Sequence, residues 1–239
     1  MHYWLVMPAA GSGRRFQGDQ PKQYAPLLGR TVIEWALAPF LGDPRCLHAV
    51  VVIAESDSSW HRVAARLGSE RLSVTPGGGE RSESVRRGLA ALAGRAAADD
   101  WVLVHDAARP CLDPHDLETL IARVTAHGAS GGLLAVRAAD TLKQAHPLPG
   151  AEREATVVRT IDRSELWRAL TPQMFRLAEL TAALDAARRS GRAPTDEAQA
   201  LEWAGASPLL VAGAPTNLKL TTSEDLKLAE AVLRSRRLS

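Results

Sequence analysis

A short apolar run, Tyr3-Trp4-Leu5-Val6-Met7, passes straight into Pro8-Ala9-Ala10-Gly11-Ser12-Gly13-Arg14-Arg15, and Lys22 follows in Pro21-Lys22-Gln23-Tyr24. This join of strand and small-residue loop constrains the fold more than any other stretch. It ends a strand in backbone that a polyphosphate can approach closely, with cations nearby. A phosphate loop of the GxxxxGK(S/T) kind is excluded, because no lysine follows the second glycine and no hydroxyl stands beside it. A dinucleotide fingerprint is disfavoured, since Phe16 occupies the place of its third glycine. Taken singly, the loop also suits an ordinary strand-to-helix turn, and Lys22 a solvated surface position. Together they point to a site for a nucleoside triphosphate.

The same theme recurs downstream. Apolar runs at residues 3–7, 48–53, 72–75, 101–105 and 131–136 alternate with amphipathic segments. That rhythm predicts an α/β fold with a mostly parallel sheet flanked by helices on both faces. Thr31 with Glu34 forms a capping box ahead of one helix, and Asp113 with Pro114 opens another. Further helices are expected over 85–92, 177–189 and 196–204, the last ending at Gly205, and from Thr222 to about residue 236. Residues 137–160 break the pattern: they are polar and carry the turn Pro147-Leu148-Pro149-Gly150, which reads as a protruding β-arm. An isolated two-stranded hairpin is marginal in water, so such an arm suits packing on a second subunit in a homodimer, with a loose surface loop as the alternative.

Composition sets outer bounds. The 239 residues suit one domain over 1–239 with the arm at 137–160 built into it, and 46% hydrophobic residues provide for a sizeable core. A formal net charge of +2, without a basic run interleaved with aromatics, argues against nucleic acid as a partner. Cys46 and Cys111 are far apart with no CxxC, so neither a zinc site nor a disulfide framework is expected, and both read as reduced and buried. The apolar N-terminal stretch is too short for a signal peptide or membrane span, which predicts no membrane partner and a cytoplasmic setting.

Two further strand ends carry chemistry. After residues 101–104 come His105-Asp106-Ala107-Ala108-Arg109-Pro110. In an open parallel sheet ligands bind at the carboxyl ends of the strands, so Asp106 and Arg109 should face the same mouth as the Pro8 loop. Asp106 can hold Mg²⁺, hold its water or bind a substrate hydroxyl. His105 reads as a packed, hydrogen-bonded side chain. The strand at 72–75 runs into Pro76-Gly77-Gly78-Gly79-Glu80-Arg81-Ser82-Glu83-Ser84, where glycines admit a planar base and Ser84 either contacts that base or serves the helix start. Three strand ends thus converge on one nucleotide-sized cleft.

With PAAGSGRR, PKQY, GGGERSESV, VLVHDAARP, the DTLK of 140–143, the IDR of 161–163, LTPQ, TDEA and NLKLT in this order, the chain resembles the 2-C-methyl-D-erythritol 4-phosphate cytidylyltransferases of the non-mevalonate isoprenoid pathway over nearly its whole length. The resemblance implies a Rossmann-like nucleotidyltransferase whose β-arm locks two subunits together, each arm contributing to the other's site. It implies that Pro8, Ala9, Ala10, Gly11 and Gly13 hold CTP, that Gly78 and Ser84 recognise cytosine, and that Asp106 and Ala107 lie beside it. Arg15, Lys22, Arg163 and Lys219 take the catalytic roles. Asp106, Arg109, Thr171, Thr195 and Lys219 contact methylerythritol phosphate, with Thr141 and Arg163 reaching in from the partner's arm region. Mg²⁺ is expected as cofactor, carried mainly by the CTP phosphates, with Asp106 as a candidate ligand. One departure stands out: the family often has an acidic residue where this chain has Gly79, so Glu80 becomes the candidate for that base contact. Lys219 also admits a plainer reading, as an edge-strand lysine that discourages aggregation.

The chemistry fits the inventory. A substrate phosphate attacking the α-phosphorus of CTP is already anionic near pH 7, so neither a general base nor a protein nucleophile is required, and no Ser-His-Asp, Cys-His or paired-carboxylate signature occurs. What is required is cancellation of negative charge and in-line positioning. A ribitol 5-phosphate cytidylyltransferase shares the loop, the lysine and the HDAAR strand end, while a CTP-binding module without turnover has no need of the cations. Residues 17–20 form a candidate lid that delivers Lys22.

Overall fold

Alternate residues of the first strand enter different cores. Tyr3, Leu5 and Met7 pack with Ile33, Leu37, Phe40 and Leu103 on one face, and Trp4 and Val6 pack with Val85, Leu89 and Val104 on the other. Burial on both faces explains why the strand is apolar throughout and does not alternate with polar residues. The computed structural model describes residues 1–11, 21–148 and 150–238.

In chain order the elements are β1 (Tyr3–Pro8), a 3-10 turn (Lys22–Tyr24), β2 (Pro26–Leu27), β3 (Arg30–Thr31), α1 (Val32–Leu41), β4 (Cys46–Ile53), α2 (Trp60–Leu67), β5 (Leu72–Pro76) and α3 (Arg81–Ala90). They continue with β6 (Trp101–Val104), α4 (Pro114–His127), β7 (Gly131–Arg137), β8 (Leu142–Leu148), β9 (Ala151–Ile161), β10 (Trp167–Arg176), α5 (Leu177–Arg189), α6 (Glu197–Trp203), β11 (Leu209–Ala212) and α7 (Ser223–Leu238). The main sheet runs β11-β7-β10-β6-β1-β4-β5. Only β10 is antiparallel to its neighbours, so the expected mostly parallel sheet with helices on both faces is what forms. Strand order reverses at β1: the chain first builds outward through β4 and β5, then returns to place β6 on the other side. That switch point opens a crevice between the ends of β1 and β6.

Local signals account for most boundaries. The Thr31 amide and hydroxyl both donate to Glu34 Oε2 at 2.6 Å, Asp113 accepts from the His115 amide with Pro114 at the first helical position, and Asp196 accepts from the Gln199 amide to cap α6. The helix expected from residue 85 instead begins at Arg81. Its first turn is Arg-Ser-Glu-Ser, with no apolar stripe to announce it, and the turn is held by side-chain ion pairs. Strands β10 and β11 have no clear signal in the sequence pattern. Thr171, Pro172 and Gln173 interrupt the apolar pattern of β10 and its pairing with β7 shifts register there, although Thr171 and Gln173 are buried.

The arm forms as expected. Strands β8 and β9 pair antiparallel in a sheet of their own, from Leu142 opposite Ile161 to Leu148 opposite Ala151. Val157 is 63% exposed and Val158 46%. Pro149, in the anticipated turn, lies outside the described residues.

Helix α3 crosses β1 at close range because residue 88 has no side chain: a Cβ at Gly88 would lie 2.4 Å from Val6 Cγ1 and 2.9 Å from Val52 Cγ2. Gly88→Ala is therefore expected to cost about 1–3 kcal/mol by overpacking, read as a lower urea midpoint at unchanged m-value. An unshifted midpoint would mean that helix and sheet are not in this contact.

Candidate active site

Three loops leave the carboxyl ends of their strands with the ladder hydrogen bonds extended one step further. The Ala9 amide donates to Val52 O (2.7 Å), the Gly77 amide to Ile53 O (2.7 Å) and the His105 amide to Val6 O (3.1 Å). The loops enclose a cavity of about 650 Å³ lined by Pro8, Ala9, Ala10, Gly11, Lys22, Gln23, Gly78, Gly79, Glu80, Arg81, Ser84, Asp106, Ala107, Ala108 and Lys219. A smaller cavity of about 210 Å³ adjoins it, lined by Arg109, Ala169, Leu170, Thr171, Gln173, Thr195 and Asp196 and sharing Arg81, Asp106 and Lys219 with the first. Most residues singled out in the sequence therefore lie in one place. Gly13, Arg15 and residues 17–20 lie outside the described residues. Thr141 and Arg163 line neither cavity: they sit at the base of the arm, exposed, where Arg163 donates to Ala139 O.

The floor of the larger cavity depends on close backbone approach. A Cβ on Gly77 would fall 2.4 Å from Ala10 Cβ, so the β1 and β5 loops touch only because that residue is glycine. Ser84 Oγ accepts from the Gly78 amide (3.1 Å) and donates to Glu80 O (3.1 Å), which fixes the glycine turn from the first coil of α3. It is thus both a helix-start residue and part of the cavity wall.

Lys22 and Lys219 are brought together by one irregular segment. The Leu220 amide donates to Ala108 O (2.8 Å), and Leu220 O in turn accepts from Lys22 Nζ (2.8 Å). Gln23 Nε2 ties the Lys22 turn to Ala9 O at 2.8 Å. Lys219 belongs to no strand, which removes the edge-strand reading; its Nζ lies 2.9 Å from Asp106 Oδ2.

Asp106 is the centre of charge. Arg81 Nε reaches Oδ1 at 3.0 Å, Lys219 and Arg109 Nε lie 2.9 and 3.5 Å from Oδ2, and the residue is buried. Burial alone would raise its pKa, but the three cations outweigh it and hold the carboxyl well below the usual carboxylate range. Arg81 also donates from Nη1 and Nη2 to the two oxygens of Glu197, at 2.6 and 3.1 Å. Nothing in the sequence pairs Arg81 with Glu197, although they stand in GGGERSESV and TDEA. Their partnership spans 116 positions and leaves no local pattern.

His105 and Thr171 support this arrangement from behind. Thr171 Oγ1 accepts from the Asp106 amide (3.1 Å) and contacts His105 Nδ1 (3.0 Å), while His105 Nε2 meets Arg109 O at 3.1 Å. A carbonyl only accepts, so Nε2 carries the proton and the Thr171 hydroxyl donates to Nδ1. The ring also packs against Phe40, and burial pushes its pKa down to about 4. Asn217 links the layers, donating from Nδ2 to Thr171 O (2.7 Å) and accepting at its backbone O from Arg109 Nη1 (2.8 Å).

A crevice at the switch point of a doubly wound sheet, floored by glycine backbone and ringed by lysine and arginine, defines an α/β nucleotide-binding protein with room for a second anionic ligand. The profile of the 2-C-methyl-D-erythritol 4-phosphate cytidylyltransferase family matches residues 3–235, and the chain belongs to that family. It is 50% identical to the enzyme of that name from Ectopseudomonas mendocina over 225 residues, covering 94% of this chain and 92% of that one. A crystal structure of 4-diphosphocytidyl-2C-methyl-D-erythritol synthase superposes with a TM-score of 0.82 at 37% identity, covering 97% of this chain and 98% of that one. The Francisella tularensis 2-C-methyl-D-erythritol 4-phosphate cytidylyltransferase does so with 0.80 at 33%, covering 97% and 100%.

The neutral state of His105 has a measurable consequence. Because its pKa falls from 6.5 to about 4 on folding, the unfolded chain binds the proton that the folded chain refuses. The stability at stake is complete above about pH 6.5 and is lost as pH falls toward 4, on the order of 3 kcal/mol. Urea unfolding across that window should show a shallower loss for His105→Gln than for the wild type. Equal slopes would mean that His105 is not held neutral.

Proposed function

We propose that this chain transfers the cytidylyl group of CTP to 2-C-methyl-D-erythritol 4-phosphate, giving 4-(CDP)-2-C-methyl-D-erythritol and pyrophosphate in isoprenoid precursor synthesis. The observation that carries this reading is the pair of adjoining cavities sharing Arg81, Asp106 and Lys219, which gives two anionic reactants neighbouring places beside fixed cations. CTP occupies the larger cavity, with its phosphates at Ala9, Ala10 and Gly11, and the acceptor occupies the smaller, against Arg109 and Thr195. An oxygen of the acceptor phosphate forms a bond to the α-phosphorus while the bond to the bridging oxygen breaks, and pyrophosphate leaves with that electron pair.

No side chain takes a proton in this step, which agrees with a His105 ring turned to the interior and spent on Thr171 and Arg109. Lys22 and Lys219 stabilise the charge that accumulates around the pentacoordinate phosphorus, and Arg15 is assigned the same role from the family resemblance. Gly78 selects the base. Its amide is committed to Ser84, so its carbonyl is what remains, an acceptor suited to the 4-amino group of cytosine and repelled by the 4-oxo group of uracil. Thr171 acts from behind by holding the Asp106 amide.

Among the described residues, Glu80 and Asp106 are the carboxylates lining the nucleotide cavity, and no group of three or more His, Cys, Asp or Glu forms a metal cage. That donor set fits Mg²⁺ carried on the triphosphate, which needs only one or two protein carboxylates. With Glu80 or Asp106 as its protein ligand, a bound Mg²⁺ would offset negative charge on the phosphates. The chain is read as one domain with the arm at 137–160 as its dimerisation element, working in the cytoplasm, and the exposed Val157 and Val158 as surface covered by a second copy. Thr141 and Arg163 then serve the partner's site. Among the described residues no helix is long and apolar enough to cross a membrane.

Lys22→Ala is expected to lower turnover by about 10²–10³, measured as pyrophosphate release from CTP, Mg²⁺ and methylerythritol phosphate, with the circular dichroism spectrum unchanged. Near-normal turnover would remove Lys22 from the mechanism. Val157→Lys with Val158→Lys should convert the dimer to monomer by light scattering and abolish activity with it. A monomeric wild type, or a fully active monomeric variant, would contradict the shared site.

A further inference from the structure

Arg81 gives Asp106 only one of its donors. A guanidinium facing a carboxylate ordinarily pairs with two parallel bonds, yet here Nε alone bonds Asp106 Oδ1, while Glu197 holds the guanidinium end-on by one N–H from each of Nη1 and Nη2. Glu197 is itself 1% exposed and cannot follow a moving partner. It opens α6, and Gln173 of β10 clamps that helix start from both sides, accepting from the Ala198 amide (2.9 Å) and donating to Asp196 Oδ2 (3.0 Å).

We infer that Glu197 is a positioning residue for the acceptor end of the site: by gripping both outer nitrogens of Arg81 it fixes the guanidinium where only Nε reaches Asp106 Oδ1, and so leaves Asp106 Oδ2 to Lys219 at the junction of the two cavities. The inference rests on the acceptor placement given above. Without Glu197 the Arg81 fork is released. It then swings onto the nearest remaining carboxylate, Asp106, and draws Oδ2 away from Lys219 and from the acceptor. The nucleotide floor at Ala9 and Gly78 depends on other bonds, to Gln23 and Ser84, and is untouched. The arrangement also ties the two halves of the site together. Arg81 begins the helix that follows the nucleotide-side glycines, and Glu197 follows Thr195 on the acceptor side.

The test is steady-state pyrophosphate release by the wild type, Glu197→Gln, Asp106→Asn and the double variant, with CTP and methylerythritol phosphate varied in turn. Glu197→Gln keeps the size of the side chain but not the second acceptor oxygen. It should lose about 10- to 100-fold in kcat/KM for the acceptor, as expected of a small misplacement, while the KM for CTP stays within about twofold. The double variant should be no slower than Asp106→Asn alone by more than about twofold, because both changes remove the same positioned oxygen. Equal losses for both substrates, losses that multiply in the double variant, or no loss would each overturn the inference. Glu197→Asp, which keeps the charge but falls short of Arg81, should show the same acceptor-specific loss. It decides the matter if the circular dichroism spectrum shows Glu197→Gln unfolded. Wild-type release without dependence on the acceptor would bring down the functional reading as well, which separates the two failures.

Discussion

Asp106 keeps its charge in the interior because Arg81, Lys219 and Arg109 surround it, and much of the site is arranged by that fact. A lone buried carboxylate would shift its pKa upward and take a proton, whereas removing one partner from such a group costs about 3–5 kcal/mol. Each cation belongs to a different part of the chain: the start of α3, the loop after β6 and the segment before α7. The carboxylate therefore works as a fastener between elements distant in sequence. Its position is set from behind by the Thr171 hydroxyl on its amide, and Thr171 is held by Asn217, whose carbonyl also anchors Arg109. The charges and the hydrogen-bonded layer beneath them hold one another in place.

The same cluster lies where the two cavities meet, which links stability to chemistry. Transfer of a nucleotidyl group between two anions asks little of proton chemistry and much of placement. The fold meets that demand with backbone at the switch point of the sheet, where a glycine allows the β1 and β5 loops to touch, and with Lys219 borrowed from a distant segment. Gln23 and Leu220 draw the Lys22 turn and the Lys219 segment toward the same mouth.

The α/β class and the inner parallel strands were legible because β1, β4, β6 and β7 are buried on both faces and so appear as unbroken apolar runs. Caps and turn residues marked α1, α4 and α6 for similarly local reasons. Strand β10 was hidden by Thr171 and Gln173, polar side chains placed in the interior to bond Asp106 and α6, and β11 by its brevity, four residues from Leu209 to Ala212. The site was legible wherever a loop follows a strand. The Arg81–Glu197 pair was not, since ion pairs across the fold have no periodicity to betray them. Lys219 was legible as a candidate but not as a partner of Asp106, because its segment is irregular and its place is fixed by packing on Ala108.

On this reading the cavity beside Asp106 recognises the acceptor, and CTP turns over only when the acceptor is in place. Initial rates of pyrophosphate release from CTP and Mg²⁺ with 2-C-methyl-D-erythritol 4-phosphate, with ribitol 5-phosphate and with no acceptor test it most directly. Release should require the methylerythritol phosphate, with kcat/KM at least about 10²-fold above that for the ribitol phosphate, since a site built around buried polar groups rejects a ligand that leaves them unpaired. Equal use of both acceptors, or release with neither, would contradict the account.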